Sequence, residues 1–293
     1  MIQIIIHTLP HEIDQLEQTL IQLKRNSIKF ESTHDKFIID VVLNLNLVSW
    51  ENSLIPKQFF IDKFSNLEIL TKTWAQTQFE IDENNKILGC VSHRRKVFNE
   101  TKADSIIILD TDIIFSENLL YFIYYSNEQI NFQEENYILT PQIPNMWDNS
   151  WDCIVNEKYI GRNSREYESR DPYLHNNTLG EISIKPINNF KFGGGWFTLI
   201  STPLAKLIPI PESLGHYGLE DTYIMFCAQY LKQTGVKVNQ YVIENEVIAE
   251  DHLFRFNPYK PYIVINDKMK EFRQNATNNF QEELIKFGNS INN

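Results

Sequence analysis

Asp110 and Asp112 stand one residue apart, directly after Ser105-Ile106-Ile107-Ile108-Leu109, an apolar run that reads as a buried strand. A carboxylate at the abrupt end of such a strand is costly unless it is paired, hydrogen-bonded or bound to a cation. Mg2+ and Mn2+ take one or two protein carboxylates and fill the rest of their shells with phosphate oxygens and water, so Asp-x-Asp suits a divalent ion carrying a phosphate ligand. The plainer reading has Asp110 capping a turn and Asp112 in solvent.

Three further segments have chemical potential. Glu220 and Asp221 open the apolar helical run Tyr223-Ile224-Met225-Phe226. Acidic residues in a first turn compensate the helix dipole and cap its amides, and one of the two is assigned that role. The other is free to act as a base toward an attacking hydroxyl. Gly193-Gly194-Gly195 takes three of only 10 glycines and leads into Trp196-Phe197-Thr198-Leu199-Ile200, which reads as a strand. It is either a tight bend with Trp196 in the core, or a ledge with an aromatic platform for a sugar face. His252, in Glu250-Asp251-His252-Leu253-Phe254-Arg255, is either a structural imidazole or a ligand completing a shell that carboxylates begin.

These residues need a scaffold. Ile2 to Ile6 and Phe37 to Leu43 read as buried strands, with Leu67 to Leu70 as a weaker third. Ile13, Leu16, Leu20 and Leu23 recur at helical spacing, and Ser92 to Phe98 is a basic helical piece feeding the strand at Ser105. Strands alternating with helices imply an α/β fold with a mostly parallel central sheet flanked by helices, with ligands bound beyond the carboxyl ends of the strands. That rule points to Thr8, Asn44, Asn46 and Asp110-Thr111-Asp112. The stretch Pro141 to Lys191, with Trp147, Trp151, Tyr159, Tyr167 and Tyr173, has little periodicity and reads as functional loop. Met269, Phe272, Phe280, Leu284 and Phe287 suggest outer helices. The expected organisation is one domain over residues 1–260 and a helical extension over 261–293.

Taken in order, Asp-x-Asp after an apolar strand, a Gly-Gly-x-Phe-like segment, Gly-x-Glu-Asp at a helix start and a late His-x-Phe-Arg resemble the GT-A nucleotide-sugar glycosyltransferases. The sequence is similar to the polypeptide N-acetylgalactosaminyltransferases, the β-1,4-galactosyltransferases and the large inverting bacterial family. The resemblance spans about Met1 to Phe256. It implies a Rossmann-like GT-A domain that uses Mn2+ or Mg2+, with a nucleotide diphosphate sugar as donor, a UDP-sugar by default, and a glycan or other hydroxyl as acceptor. It also implies donor contacts from Thr8, Glu12, Arg94, Asp110, Thr111, Asp112, Gly194, Gly195 and Trp196. Metal ligands would be Asp110, Asp112 and His252, and acceptor contacts Trp196, His216 and Tyr217. Glu220 and Asp221 would be catalytic, with Asp221 the general base of an inverting transfer and Arg94 or Arg255 a phosphate contact. The sequence departs from the family at Asn44-Leu45-Asn46, where an acidic nucleotide-binding pattern is usual, and at Thr8-Leu9-Pro10-His11-Glu12, which lacks the usual Asn. Two other readings stand beside this one. A sugar-1-phosphate nucleotidyltransferase would need a Gly-rich basic loop after the first strand, and a carbohydrate-binding module would use the aromatic loop without turnover.

The 293 residues carry 27 Lys+Arg against 38 Asp+Glu, a net charge of −11, which argues against nucleic acid as a partner and requires a local device for any bound anion. With 42% apolar residues the chain is long and hydrophobic enough to bury a large core. Three scattered cysteines suggest a reducing compartment, and no window suits a signal peptide or membrane span, so a cytoplasmic location is expected.

Overall fold

The computed structural model describes residues 1–30, 32–83, 87–126, 136–143, 154, 181–193, 195–250 and 258–292. The apolar opening forms β1 (Ile2–Thr8), followed by α1 (Ile13–Ser27), β2 (Phe37–Asn44), β3 (Val48–Ser49), α2 (Lys57–Lys72) and β4 (Gln76–Asp82). Then come α3 (Cys90–Glu100), β5 (Ser105–Leu109), β6 (Ile113–Ile114), α4 (Leu119–Ser126), β7 (Asn136–Gln142), β8 (Ser183–Ile187) and β9 (Phe197–Ser201). The chain closes with α5 (Thr202–Leu207), α6 (Glu220–Gln233), β10 (Val238–Val247), β11 (Ala249–Glu250), β12 (Val264–Ile265) and α7 (Lys268–Asn292).

Eight strands form one sheet in the order β4-β2-β1-β5-β9-β7-β10-β8. β4, β2, β1 and β5 are mutually parallel, and β10 is parallel to β7, whereas β9 runs against both its neighbours and β8 against β10. The expected α/β architecture, a mostly parallel central sheet with flanking helices and a helical C-terminus, is present. One expectation is corrected: Leu67 to Leu70 belongs to α2, and the next strand is the more polar Gln76 to Asp82. Leu67 is buried while Ile69 and Leu70 are 62% and 55% exposed, the pattern of one face of a helix. β4 lies at the sheet edge and is mostly half-buried, so it needs no continuous apolar run.

The central strands are apolar on both faces: Ile4, Ile6, Ile39, Val41, Ile106 and Ile107 are fully buried. One carboxylate interrupts this layer. Asp40 in β2 accepts hydrogen bonds from Gln3 at 2.8 Å and is 2.9 Å from His93 Nε2, so α3 is pinned to the sheet by a satisfied polar contact. The C-terminal helix α7 is held on α6 by rings, with Phe226–Phe280 centroids 5.9 Å apart and Tyr223–Phe287 centroids 6.4 Å apart. Burying Phe280 and Phe287 contributes about 1.5–3 kcal/mol each. Among the described residues no helix is long and apolar enough to cross a membrane, and the described cysteines, Cys90 and Cys227, are free and buried.

A second buried acid ties β10 to the loop after β6. Glu246 is 2% exposed and accepts hydrogen bonds from the amide and hydroxyl of Ser116 at 2.8 and 2.7 Å. Burial pushes its carboxyl up to about 7, against the two Ser116 contacts. The folded protein therefore holds this proton more tightly than the unfolded chain, and stability falls as pH rises from the ordinary carboxylate range to about 7, then levels. In Glu246→Gln the amide keeps both Ser116 contacts and removes the titration. Its melting temperature relative to wild type should rise across that window, by the equivalent of at most about 3 kcal/mol, and stay constant above it. Parallel pH profiles for the two proteins would contradict this.

Candidate functional site

The carboxyl ends of β1 and β5 open into a cavity of about 520 Å3. Its wall gathers Glu12, Arg94, Asp110, Thr111, Asp112, Gly195, Tyr217, Glu220 and Asp221 from segments far apart in sequence. His7, Leu9, Cys90, Phe192, Gly218, Leu219 and Thr222 also line it, as do Met269 and Arg273 from α7.

Local structure explains each placement. The last rung between β5 and β9 joins Leu109 to Phe197, and the Asp110 amide extends the ladder by donating to the Trp196 carbonyl at 3.1 Å. This brings Gly195 alongside the Asp-x-Asp turn. The Thr19 hydroxyl of α1 donates to the Thr111 carbonyl at 2.7 Å and fixes the turn from the opposite side. After the turn, β6 pairs antiparallel with β11, Ile113 facing Glu250. β11 ends two residues before His252, which lies outside the described residues, as do Gly194, Arg255 and the aromatics Trp147 to Tyr173.

Arg94 is the electrostatic hub. The His93–Asp40 contact orients α3, and the Val91 amide donates to the His216 carbonyl at 3.1 Å, docking the helix start against the loop that precedes α6. Gly89 permits that approach: a Cβ there would lie 2.1 Å from the same carbonyl oxygen. Arg94, 8% exposed, reaches Glu220 with one nitrogen and Asp110 with another at 3.1 Å. Its two carboxylate neighbours hold the guanidinium firmly protonated, although burial opposes this.

The loop entering α6 uses left-handed backbone, with Gly218 at φ 99° and Leu219 at φ 64°. For leucine this conformation costs about 1–2 kcal/mol. It turns the first residues of α6 into the cavity, so the helix dipole faces Glu220 and Asp221. Asp221 Oδ1 accepts from the amide and hydroxyl of Thr222 at 2.6 and 3.2 Å, which fixes its orientation. Oδ2 points across Gly195, where a Cβ would stand only 2.7 Å from it. Of the pair, Glu220 is bound to Arg94, and Asp221 lines the cavity.

The cavity wall holds more acidic groups, Glu12, Asp110, Asp112, Glu220 and Asp221, than guanidinium groups, Arg94 and Arg273. Burial pushes Glu12 up to about 8, with Asp112 and Asp110 adding to the rise and the Leu9 amide opposing it. Burial also pushes Asp110 up to about 7, Arg94 opposing and Asp112, Glu220 and Asp221 adding. Asp110 nevertheless leaves 40% of its side chain open to the cavity, so solvent or a bound cation moderates that rise. Asp221 is raised by burial and by Glu220. Glu220 Oε2 is buried without a hydrogen-bond partner. Among the described residues no group of three or more His, Cys, Asp or Glu forms a metal cage.

Thr8, Trp196 and His216 are not on the wall. Thr8 is fully buried and its hydroxyl contacts the Leu9 carbonyl at 3.4 Å. His216 packs away from the cavity, with Nδ1 2.5 Å from Ser92 Oγ and its ring 5.0 Å from that of Phe272. Trp196 is half-buried and contributes its carbonyl to Asp110. The wall residues not singled out from sequence include His7, held neutral because burial and the nearby His93 and Arg94 lower its pKa to about 3. Its position beside Thr8 at the end of β1 was the available signal. Met269 and Arg273 had no local signal, because their contribution comes from the docking of α7.

No family model matches the chain, and no curated protein matches it. Among solved structures, TarS 1-349 of S. aureus in complex with UDP-GlcNAc is similar at 13% identity over 83% of this chain and 58% of that one, TM-score 0.48. The mannosyltransferase PcManGT from Pyrobaculum calidifontis in complex with GDP-Man and Mn2+ is similar at 10% identity over 82% of this chain and 56% of that one, TM-score 0.45. A Bacillus anthracis protein assigned as a glucose-1-phosphate thymidylyltransferase is similar at 12% identity over 88% of this chain and 94% of that one, TM-score 0.46. The chain spans less than two thirds of the length of the TarS and PcManGT chains.

Proposed function

We propose that the protein is a GT-A-type glycosyltransferase that moves a hexose from a nucleoside diphosphate sugar to a hydroxyl acceptor, with inversion. The observation that carries this reading is the convergence of Glu12, Asp110, Asp112, Glu220 and Asp221 on one cavity at the carboxyl end of a parallel sheet. A set of desolvated carboxylates with a single doubly engaged arginine suits a site completed by a divalent cation. The raised Glu12 and Asp110 and the unpartnered Glu220 Oε2 fit such an ion. Asp110 and Asp112 would hold Mn2+ or Mg2+, with His252 as a further ligand. When bound, the ion supplies positive charge to the diphosphate, which a chain of net charge −11 does not otherwise provide.

The chain's own groups then divide the work. Glu12 and Thr111 flank the donor beside the Asp-x-Asp turn, and Arg94 orients Asp110 and Glu220. Asp221 Oδ2 takes the proton of the acceptor hydroxyl as the acceptor oxygen bonds to the anomeric carbon and the bond from that carbon to the diphosphate oxygen breaks. Thr222 holds Asp221 in the deprotonated orientation, and its raised pKa makes it a better base than an ordinary aspartate. Gly195 lets the backbone lie against that oxygen with no side chain in the way, and Tyr217 lines the acceptor side.

The test is incubation with Mn2+ and a panel of UDP-, GDP-, dTDP- and ADP-sugars, with nucleoside diphosphate as the product measured. Slow release from at least one donor, abolished by chelation, is expected. Release from none, or pyrophosphate formation from a nucleoside triphosphate and a sugar 1-phosphate, would overturn the reading.

A further inference from the structure

Arg273 is the cation of the cavity wall that the mechanism does not use. Among the described residues it makes no salt bridge, and its backbone carbonyl accepts from the Thr277 hydroxyl. Its side chain is exposed at the cavity rim. The other guanidinium on the wall, Arg94, is occupied by Glu220 and Asp110. An arginine that lines a cavity with five carboxylates yet pairs with none is held away from them by its backbone.

That holding is visible. Phe272, the preceding residue, meets the His216 ring edge-on, and Asn275 and Asn279 both donate to the Ser213 carbonyl at 3.0 and 2.8 Å. The Arg273 stem lies against Gly218, where a Cβ would come within 3.3 Å of Arg273 Cγ, and Gly218 has the left-handed φ of 99° that favours glycine. The Arg273 stem thus rests on the loop that delivers Asp221, whereas Glu12 and Asp112 are delivered by the loops after β1 and β5. We propose that Arg273 recognises an oxyanion, a carboxylate or phosphate, on the acceptor, so that the transferase acts on an acidic hydroxyl substrate. This rests on the proposed function. A planar guanidinium with free donors binds such groups in bidentate fashion, and a charge-assisted pair of this kind is worth about a tenfold to hundredfold change in affinity.

The experiment compares three probes by calorimetric titration: methyl glucoside, methyl glucuronide and glucose 6-phosphate. Each is titrated into wild type, Arg273→Gln and Arg273→Lys, with and without Mn2+ plus UDP, GDP, dTDP or ADP. At least one anionic probe should bind wild type at least tenfold more tightly than methyl glucoside, and the carboxylate and phosphate arms identify which oxyanion is preferred. Arg273→Gln should erase the preference and Arg273→Lys should restore part of it. No preference for either anion, or a preference that persists in Arg273→Gln, overturns the proposal. A weakened UDP affinity in Arg273→Gln with unchanged anion preference also overturns it, by assigning the residue to the donor. Failure of every nucleotide to bind alongside an Arg273-dependent anion preference would sink the donor reading and leave the anion site standing, so the two failures are distinguishable.

Discussion

Asp221→Asn should lower kcat for sugar transfer by about 10²–10⁴-fold while nucleotide affinity changes little. The side chain keeps its shape, and its carbonyl oxygen still accepts from the Thr222 amide and hydroxyl, so the first turn of α6 is not disturbed. What disappears is the oxygen that faces the cavity across Gly195 and accepts a proton. The appropriate measurement separates kcat from KM for donor and acceptor. A fall confined to kcat supports the base assignment, whereas wild-type kcat would remove Asp221 from the chemistry and reopen a retaining course.

Arg94→Met should cost about 3–5 kcal/mol of folding stability, the largest effect expected from any single change in the site. Glu220 is 3% exposed, and one of its carboxylate oxygens already has no hydrogen-bond partner. Removing the guanidinium leaves the other oxygen with only the long Cys90 thiol contact at 3.8 Å. Asp110 would lose the neighbour that opposes its rise in pKa. Replacing both partners, Arg94→Met with Glu220→Met, removes the uncompensated charge and should recover most of the loss. Urea unfolding of the single and double variants checks this. A double variant no more stable than the single one would show that the pair is not an energetic unit.

How much of this was legible depends on whether the signal is local. Ser105 to Leu109 followed by Asp110-Thr111-Asp112 is readable because a buried strand needs a continuous apolar run and the acids mark its end. Glu220 and Asp221 are readable for the same reason at a helix start. Their link through Arg94 is not, since it depends on α3 docking against the loop before α6, where Gly89 and the His216 carbonyl meet. Leu67 to Leu70 reads as a strand because a short apolar cluster has no period to distinguish it, and only burial shows one helix face. The half-buried edge strand β4 lacks an apolar run altogether. His216 sits in a promising motif but is spent on Ser92 and Phe272. Arg273 lies on a helix whose amphipathic pattern matches any outer helix, and only the contacts of Phe272, Asn275 and Asn279 with the α6 loop carry it to the site.

The central claim is that the acidic cavity becomes a nucleotide site when a cation occupies the Asp-x-Asp turn. Titration of UDP, GDP, dTDP and ADP into the protein, with and without Mn2+ and in wild type and Asp112→Asn, tests it most directly. The account predicts that at least one nucleotide binds in the presence of Mn2+, and that chelation or Asp112→Asn weakens binding at least about tenfold. Binding of none of the four, or binding indifferent to both Mn2+ and Asp112, would contradict it.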